Sequence, residues 1–171
     1  YLGLSSTQLS GTIPAGISNL RNLVKLHLGG SNVTGVIPAE LGSLPLLEDL
    51  VINGTKLSGA IPSELGNLTK LWRLNLAHNQ LSGSIPLSIT TLPDLGILEL
   101  YNNKLTGQIP PQLANMPKVY VIDLSKNLLD GSIPAEIFTM AKVTSLRLND
   151  NRLSGSIPSE IGNMTQLGTL K

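Results

Sequence analysis

The sequence LNLAHNQLSGSIP, from Leu74 to Pro86, is one copy of a pattern that recurs through the whole chain with a constant 24-residue period. Each copy closes on an Ile-Pro pair, and a glycine lies two residues before each isoleucine. The isoleucines are Ile13, Ile37, Ile61, Ile85, Ile109, Ile133 and Ile157, with no insertion or deletion between them. A fixed period of about 20 to 50 residues is typical of stacked repeats, in which each coil packs only against its neighbours.

Each copy predicts the local structure of one coil. The segment L-x-L at Leu74 and Leu76 turns two leucines inward and one residue outward, which is the period of a short strand. A second short strand follows and ends at the Ile-Pro pair, because proline lacks the N–H that further pairing needs. The rest of the coil spaces its leucines by three, as at Leu65 and Leu68, which favours a 3-10 turn. An amphipathic helix is the alternative, and residues 135–142 fit it best.

One polar residue follows each first strand and is expected to satisfy the backbone of the turn. An asparagine side chain supplies two N–H donors and one carbonyl acceptor to groups that would otherwise be buried and unpaired. The position holds Asn79, Asn103, Asn127 and Asn151 in the later coils, and Thr7, Ser31 and Thr55 in the first three. Because a hydroxyl makes fewer hydrogen bonds, we expect a looser ladder in the N-terminal half.

Composition excludes several kinds of site. The chain has 12 Lys and Arg against 11 Asp and Glu, a formal net charge of +1, so its charge does not point to nucleic acid or to an anionic membrane surface. No apolar run approaches the roughly 18 residues that span a bilayer, so we expect no membrane insertion in this segment. Without cysteine there is no thiol chemistry, and His27 and His78 lie two coils apart without a third ligand. We therefore expect no metal and no cofactor.

The two ends of the chain have the pattern of interior repeats. Leu2 and Leu4 hold the places that Leu26 and Leu28 hold one coil later, and residues 167–171 begin an eighth strand. A solenoid needs polar terminal repeats to cover the open ends of its core. We therefore expect residues 1–171 to form a single domain of about seven repeats within a longer polypeptide.

The pattern N-x-L-x-G-x-I-P, as in residues 79–86, together with the leucines at Leu71, Leu74 and Leu76, resembles the plant-type class of leucine-rich repeats. The resemblance implies an α/β fold: a right-handed solenoid with a parallel sheet on its concave face, and short second strands and 3-10 turns on the convex side. That class includes receptor-kinase ectodomains, receptor-like proteins and secreted inhibitors of polygalacturonases. It implies an extracellular or cell-surface recognition module that binds a protein, peptide or glycan on its concave face.

The unbroken period also predicts which side chains share a surface, because residues 24 apart should stack in columns about 4.8 Å apart on the first sheet. Tyr101 lies outward by its column, and an exposed tyrosine among polar groups is the usual composition of a recognition site. In another column the signs of Lys25, Asp49 and Arg73 alternate, which predicts a cross-strand ion-pair ladder. The predicted partner-binding residues are Arg73, Asn75, His78, Glu99, Tyr101, Asp123, Lys126 and Arg147.

Two carboxylates, Glu99 and Asp123, are the one arrangement that suggests catalysis. Their expected separation of about one strand spacing is close to the roughly 5 Å of retaining glycosidases. An open sheet, however, has no enclosure that would desolvate one carboxyl group and hold its proton. The chain also lacks a G-x-S-x-G motif and a phosphate-binding loop, so we predict that it is not an enzyme.

Four Asn-x-Ser/Thr sequons, at Asn32, Asn53, Asn67 and Asn163, permit N-glycans in a secreted protein. Asn53 is expected on the concave face, where a glycan would obstruct binding, whereas Asn67 and Asn163 are expected on the convex side. Trp72 and Tyr120 are further candidates for partner contact, with the alternative that the ring of Trp72 only covers the edge of its coil.

Two other functions fit the pattern. The chain would be a structural scaffold subunit if neighbouring chains covered the ends of its core. It would be an ice-binding solenoid if the small outward residues of the second strands, many of them Ser or Thr, formed two regular files. These files begin at Ser10 and Thr12 and end at Ser154 and Ser156.

Overall fold

The structure, a computed structural model that describes residues 1–171, consists of two parallel sheets connected by 3-10 turns. The first sheet has eight strands, β1 (Leu2–Gly3), β3 (Lys25–His27), β5 (Asp49–Val51), β7 (Arg73–Asn75), β9 (Ile97–Glu99), β11 (Val121–Asp123), β12 (Ser145–Arg147) and β13 (Thr169–Leu170). The second sheet has five, β2 (Ser10–Thr12), β4 (Asn32–Val36), β6 (Lys56–Ala60), β8 (Gln80–Gly83) and β10 (Lys104–Leu105). We number the coils 1 to 7 from Tyr1 in steps of one repeat, and call the outward side of the first sheet the concave face.

Every coil contains one five-residue 3-10 turn and no α-helix, which confirms the 3-10 prediction and excludes the helical alternative at residues 135–142. The turns are Ala15–Asn19, Ala39–Ser43, Ser63–Asn67, Leu87–Thr91, Pro111–Asn115, Ala135–Thr139 and Ser159–Asn163. A proline precedes each of them in an extended conformation, so the strand ends where the turn begins. No helix has the length and apolar character that crossing a membrane requires.

The first sheet has the predicted register. Leu50 pairs with both Leu26 and Leu74, and Leu98 with Leu74, so neighbours in this sheet are one full repeat apart in the chain. The inward-facing leucines, such as Leu71 and Leu76, are fully buried. They belong to a single core of 41 buried residues. Burying one leucine stabilises a fold by about 1.5–3 kcal/mol, and several such positions, repeated in each coil, make up the core.

The second sheet has a different register, and it corrects one expectation. Paired residues in this sheet are 22 rather than 24 positions apart in the chain. In this 22-residue register Thr34 pairs with Lys56 and Ser82 with Lys104. The files of small hydroxyl residues therefore run obliquely across the sheet, and lysines enter the rows between them. In coils 6 and 7 the pairing is reduced to two isolated bridges, Gln108 with Asp130 and Ser132 with Ser154.

The asparagine ladder forms as predicted. The Nδ2 group of Asn103 donates to the carbonyl oxygens of Leu76 at 3.0 Å and Leu100 at 3.0 Å, and its Oδ1 accepts the backbone N–H of Leu81 at 3.0 Å. Asn79, Asn127 and Asn151 repeat these bonds one coil apart. Each asparagine thus connects its own coil to the preceding one.

The hydroxyl residues of the first three coils form fewer connections, which confirms the looser N-terminal ladder. Thr7 and Ser31 donate only to carbonyl oxygens of their own coils, those of Leu4 and Leu28. Thr55 donates to Oδ1 of Asn79 at 2.5 Å. The ladder therefore joins coils 3 to 7, whereas coils 1, 2 and 3 are held together by backbone pairing, core packing and side-chain contacts outside the core, such as that of Asn32 with Gln8.

The third residue after most of the concave strands has a left-handed backbone conformation. Gly30 and Gly54 hold this position with φ of 67° and 63°, and His78, Asn102 and Lys126 hold it with φ of 54° to 56°. Glycine accepts positive φ without strain, whereas a side chain there is uncommon and is most often Asn, Asp or His. Two of the predicted binding residues, His78 and Lys126, therefore lie where the left-handed backbone limits which residue types can occur.

We expect Asn103→Ala to lower the free energy of unfolding by about 3 kcal/mol, because it leaves buried backbone donors and acceptors without partners. Chemical denaturation followed by circular dichroism measures this value. Asn115→Ala is the matched control, since Asn115 is exposed at the end of a 3-10 turn, and it should change the value by less than about 0.5 kcal/mol. Equal losses in both variants would contradict the ladder as the source of stability.

Candidate functional site

The concave face brings all eight predicted binding residues onto coils 4 to 7. They lie on strands β7, β9, β11 and β12 or within three residues after a strand. The structure groups seven of them into three clusters connected by hydrogen bonds or ring contacts. Lys126 is the eighth, and its side chain is exposed beside the others.

The first cluster joins coils 4 and 5. Oε2 of Glu99 accepts hydrogen bonds from Nδ2 of Asn75 at 2.7 Å and from Nη2 of Arg73 at 3.3 Å. Oδ1 of Asn75 in turn accepts the backbone N–H of Ala77 at 3.1 Å, which fixes the amide orientation. Asn75 is only 5% exposed, although its column predicted an outward side chain, because Glu99 and the turn after its own strand enclose it. Arg73 uses Nη2 for Glu99 and its Nε is buried without a partner, so Nη1 is the nitrogen that remains available.

The second cluster joins coils 6 and 7 around Asp123. Oδ2 of Asp123 lies 3.3 Å from Nη1 of Arg147, and Oδ1 accepts hydrogen bonds from the hydroxyl of Ser125 at 2.6 Å and from its backbone N–H at 3.1 Å. Asp123 is buried, whereas Arg147 is exposed. Sequence reasoning missed Ser125. Its hydroxyl two residues after the aspartate is the signal that could have identified it, since this spacing is typical of local turns.

The third cluster is aromatic and lies between the other two. The rings of His78 and Tyr101 meet edge to face, with centroids 4.9 Å apart and an interplanar angle of 77°. Nδ1 of His78 lies 2.5 Å from Nδ2 of Asn102, a second residue that sequence reasoning missed. Burial raises the pKa of the Tyr101 phenol, and the nearby carboxylates of Glu99 and Asp123 raise it further. The phenol is therefore neutral at physiological pH and can donate a hydrogen bond to a ligand.

The predicted ion-pair ladder through Lys25, Asp49 and Arg73 is wrong. These residues are register partners, but Asp49 is only 4% exposed and its Oδ2 lies 2.8 Å from Nε2 of His27, one coil away and on the diagonal. Arg73 turns the other way, toward Glu99. Diagonal neighbours on a sheet lie within reach of long side chains, so register alone did not determine the partners.

Glu99 and Asp123 occupy adjacent register positions, as the column predicted. Each carboxylate has its own cation, Arg73 in one direction and Arg147 in the other. Both carboxylates are thus engaged in ion pairs on an open sheet, which lacks the enclosure that a glycosidase provides around its acid group.

A cavity of about 400 Å³ lies far from this site, at the N-terminal end of the stack. Leu2, Leu9, Ile13 and Ile17 line it, so it is the end of the hydrophobic core rather than part of the concave face. No group of three or more His, Asp or Glu side chains is positioned to hold a metal ion.

The four sequons differ in their surroundings. Asn67 and Asn163 are exposed, each at the last residue of a 3-10 turn on the convex side. Nδ2 of Asn32 donates to Oε1 of Gln8 at 3.2 Å. Asn53 is half-buried on the concave face, with its side chain packed over Gly29, where an added Cβ atom would overlap Oδ1 of Asn53.

Comparisons with known proteins place this geometry among related folds. A family model described as leucine rich repeat matches residues 21–81, and a second model of that description matches residues 94–116 and 142–164. No curated protein gives a significant sequence match.

Three solved structures illustrate the similarity. The plant peptide hormone receptor RGFR1, in complex with RGF2, is 41% identical over 95% of this chain, with a TM-score of 0.93. The ectodomain of the Arabidopsis receptor kinase HAESA, in complex with an IDA peptide hormone, is 40% identical over 96% of the chain, with a TM-score of 0.91. A plant ice-binding protein is 32% identical over 99%, with a TM-score of 0.85. The chain spans 26% and 28% of the two receptor chains and 57% of the ice-binding chain.

We expect the pKa of the Tyr101 phenol to lie above the ordinary value of 10.0, because burial and the nearby carboxylates disfavour the phenolate. Its raised pKa means that the neutral phenol contributes stability below the ordinary value of 10.0 and that this contribution is lost as the pH rises through the folded pKa. In an ultraviolet absorbance titration, Tyr101→Phe should remove the component with the raised pKa. Tyr120→Phe is the control and should leave that component in place.

For expression through a eukaryotic secretory pathway we expect N-glycans at Asn67 and Asn163 and none at Asn53. Exposed asparagines on the convex side can carry a glycan without disturbing the fold, whereas a glycan at Asn53 would displace its packing on Gly29. Peptide mapping by mass spectrometry, with Asn67→Gln and Asn163→Gln as references, measures occupancy. A fully occupied Asn53 would contradict this.

Proposed function

The chain belongs to the leucine-rich repeat family, in its plant-type 24-residue class, and we propose that it is a non-catalytic recognition module that binds an extended peptide on its concave face. We further propose that it is part of a cell-surface receptor-like or secreted protein and that it works outside the cell. The observation that carries the proposal is the continuous strip of polar and aromatic side chains across coils 4 to 7. Mutual hydrogen bonds hold these side chains in place before any ligand arrives.

Preorganisation favours binding because side chains that are already ordered lose little conformational entropy on association. Glu99 and Asn75 hold each other, and the ring of His78 supports that of Tyr101. Tyrosine and arginine are the residues most enriched among binding hot spots, and Tyr101 and Arg73 each retain unused donors. The site therefore offers an aromatic surface between two guanidinium groups, those of Arg73 and Arg147.

The structural neighbours support a peptide as the ligand, since the RGFR1 and HAESA structures are complexes with RGF2 and with an IDA peptide hormone. The 24-residue register makes the concave face a straight set of columns, and an extended peptide lying across the strands would follow these columns and meet one coil after another. The cation paired with each carboxylate supports binding over catalysis.

The ice-binding alternative has less support in the geometry. The 22-residue register of the second sheet brings Lys56 and Lys104 into the rows of small residues. Val36 also interrupts the hydroxyl files, and its side chain is 57% exposed. A scaffold role remains the second alternative, and analytical ultracentrifugation distinguishes it, because a scaffold subunit would associate with increasing concentration.

We expect the double variant Arg73→Ala/Tyr101→Ala to weaken peptide binding by at least about 100-fold, since hot-spot residues contribute about 2 kcal/mol or more each. The partner is first selected from a library of secreted plant peptides, and isothermal titration calorimetry then measures affinity. Lys56→Ala/Lys104→Ala is the matched control because both lysines are exposed on the second sheet. An unchanged affinity in the concave-face variant would disprove the proposed site.

A further inference from the structure

A second exposed surface lies on the flank of the solenoid where the 3-10 turns lead into the concave strands. It consists of two columns of residues spaced by 24 in the chain. One column contains Trp72, Gly96 and Tyr120, each one position before a concave strand, and the other contains Lys70, Lys118 and Lys142. We call these six residues the aromatic flank. None of them belongs to the concave site described above.

The aromatic column forms a shallow platform. The side chain of Trp72 is 36% exposed and that of Tyr120 is 39% exposed, and both belong to the five Phe, Trp and Tyr residues of the chain. Gly96 lies between them, and a Cβ atom there would lie 2.8 Å from Cε1 of Tyr120. The tyrosine ring therefore lies over the glycine, and no side chain rises between the two aromatic residues. Two coils of the stack, about 9.6 Å, separate their backbones.

The lysine column gives the platform a positive border. Nζ of Lys118 donates to Oδ1 of Asp94 at 2.5 Å, yet its side chain remains 61% exposed. The hydrogen bond from Lys118, its charge and that of Lys70 lower the pKa of Asp94. Lys142 is held in place as its Nζ donates to the carbonyl oxygen of Pro117 at 2.9 Å. Three ammonium groups against one carboxylate leave two positive charges in excess.

The backbone groups of the aromatic column are occupied by bonds between neighbouring coils. The carbonyl oxygen of Trp72 accepts the N–H groups of Gly96 and Ile97, and that of Gly96 accepts those of Tyr120 and Val121. An extended peptide recognised through its main chain would therefore find no free carbonyl oxygen at Trp72 or Gly96. The two main cavities lie at the N-terminal end of the stack, away from this flank.

We propose that the aromatic flank binds a linear acidic polysaccharide, with its pyranose rings packed on Trp72 and Tyr120 and its carboxylates paired with the three lysines. The C–H faces of a pyranose ring are apolar and pack on aromatic rings, while the polar rim stays in water. A polyuronate carries a carboxylate on each ring, which complements a row of ammonium groups beside a row of aromatic rings. It needs neither a pocket nor a free backbone group.

The charges at the two ends of the flank indicate where along the stack the polysaccharide would lie. Glu48 is exposed one coil before Trp72 in the same column, and it would repel a polyanion. Lys142 extends the positive border one coil beyond Lys118. The polysaccharide therefore lies along coils 3 to 6, parallel to the solenoid axis, and leaves the concave face open.

The test uses a (1→4)-linked galacturonate oligomer of about ten sugars as the probe, with isothermal titration calorimetry at low and high salt. The unmodified chain should bind it, and more weakly at high salt because the ion pairs are exposed. Trp72→Ala should weaken binding by about tenfold, and Lys118→Gln/Lys142→Gln should do so by a similar factor with a smaller salt dependence. The lysine pair is exposed, so this variant tests the proposal even if Trp72→Ala fails to fold.

Three controls make the proposal falsifiable. Lys56→Gln/Lys104→Gln carries the same change of charge on the second sheet and should retain affinity within about twofold. A fully methyl-esterified galacturonate oligomer should bind at least about tenfold more weakly, as should polyglutamate of equal charge. Absence of binding by the unmodified chain, equal loss in the two lysine pairs, or equal affinity for either control polymer would overturn the proposal. Arg73→Ala/Tyr101→Ala should bind the oligomer normally, which separates this surface from the peptide site.

Discussion

The fold depends on one hydrogen-bonding arrangement, in which an asparagine side chain satisfies backbone groups of two consecutive coils. The turn after each concave strand leaves N–H and C=O groups directed into the core, where an unpaired group costs about 1–3 kcal/mol. Asn103 contacts the carbonyl oxygens of Leu76 and Leu100 and the N–H of Leu81. Because two of these three contacts reach the preceding coil, an inserted or deleted residue would break the ladder that joins coils 3 to 7. The ladder therefore reinforces the 24-residue register of the concave face in these coils, whereas coils 1 to 3 keep the same register through backbone pairing.

A constant register explains how far the sequence could predict the site. The period of 24 was enough to place Glu99 beside Asp123 and Tyr101 near His78, and the structure confirms both placements. The period could not predict which partner each long charged side chain contacts, because direct and diagonal neighbours lie at similar distances. Asp49 therefore pairs with His27 rather than with Lys25 or Arg73. The second sheet has no ladder of its own, and its 22-residue register could not be derived from a 24-residue repeat.

The faces of the solenoid differ in their chemistry because each is formed by different positions of the same 24-residue repeat. On the concave face, the residue between two buried leucines is free to vary, and in coils 4 to 7 it contributes to connected polar clusters around an aromatic pair. On the aromatic flank, the backbone bonds of Trp72 and Gly96 are complete and only side chains are presented. The left-handed column between strand and turn restricts which residues can follow Tyr101 and Ser125, and Asn102 and Lys126 accept that conformation. One repeat thus offers surfaces with different chemistry.

The uneven ladder also has a mechanical consequence. The buried side-chain ladder joins coils 3 to 7, whereas coils 1, 2 and 3 share backbone pairing, packed leucines and a few side-chain contacts outside the core, such as those of His27 with Asp49 and of Asn32 with Gln8. Tension applied along the axis acts on each junction in series, and the junction with the fewest bonds separates first. Under load, this stretch would extend by peeling from coil 1 toward coil 3, while the coils that carry the proposed peptide site would keep their shape. The N-terminal coils would thus act as a compliant element in series with a stiff binding segment.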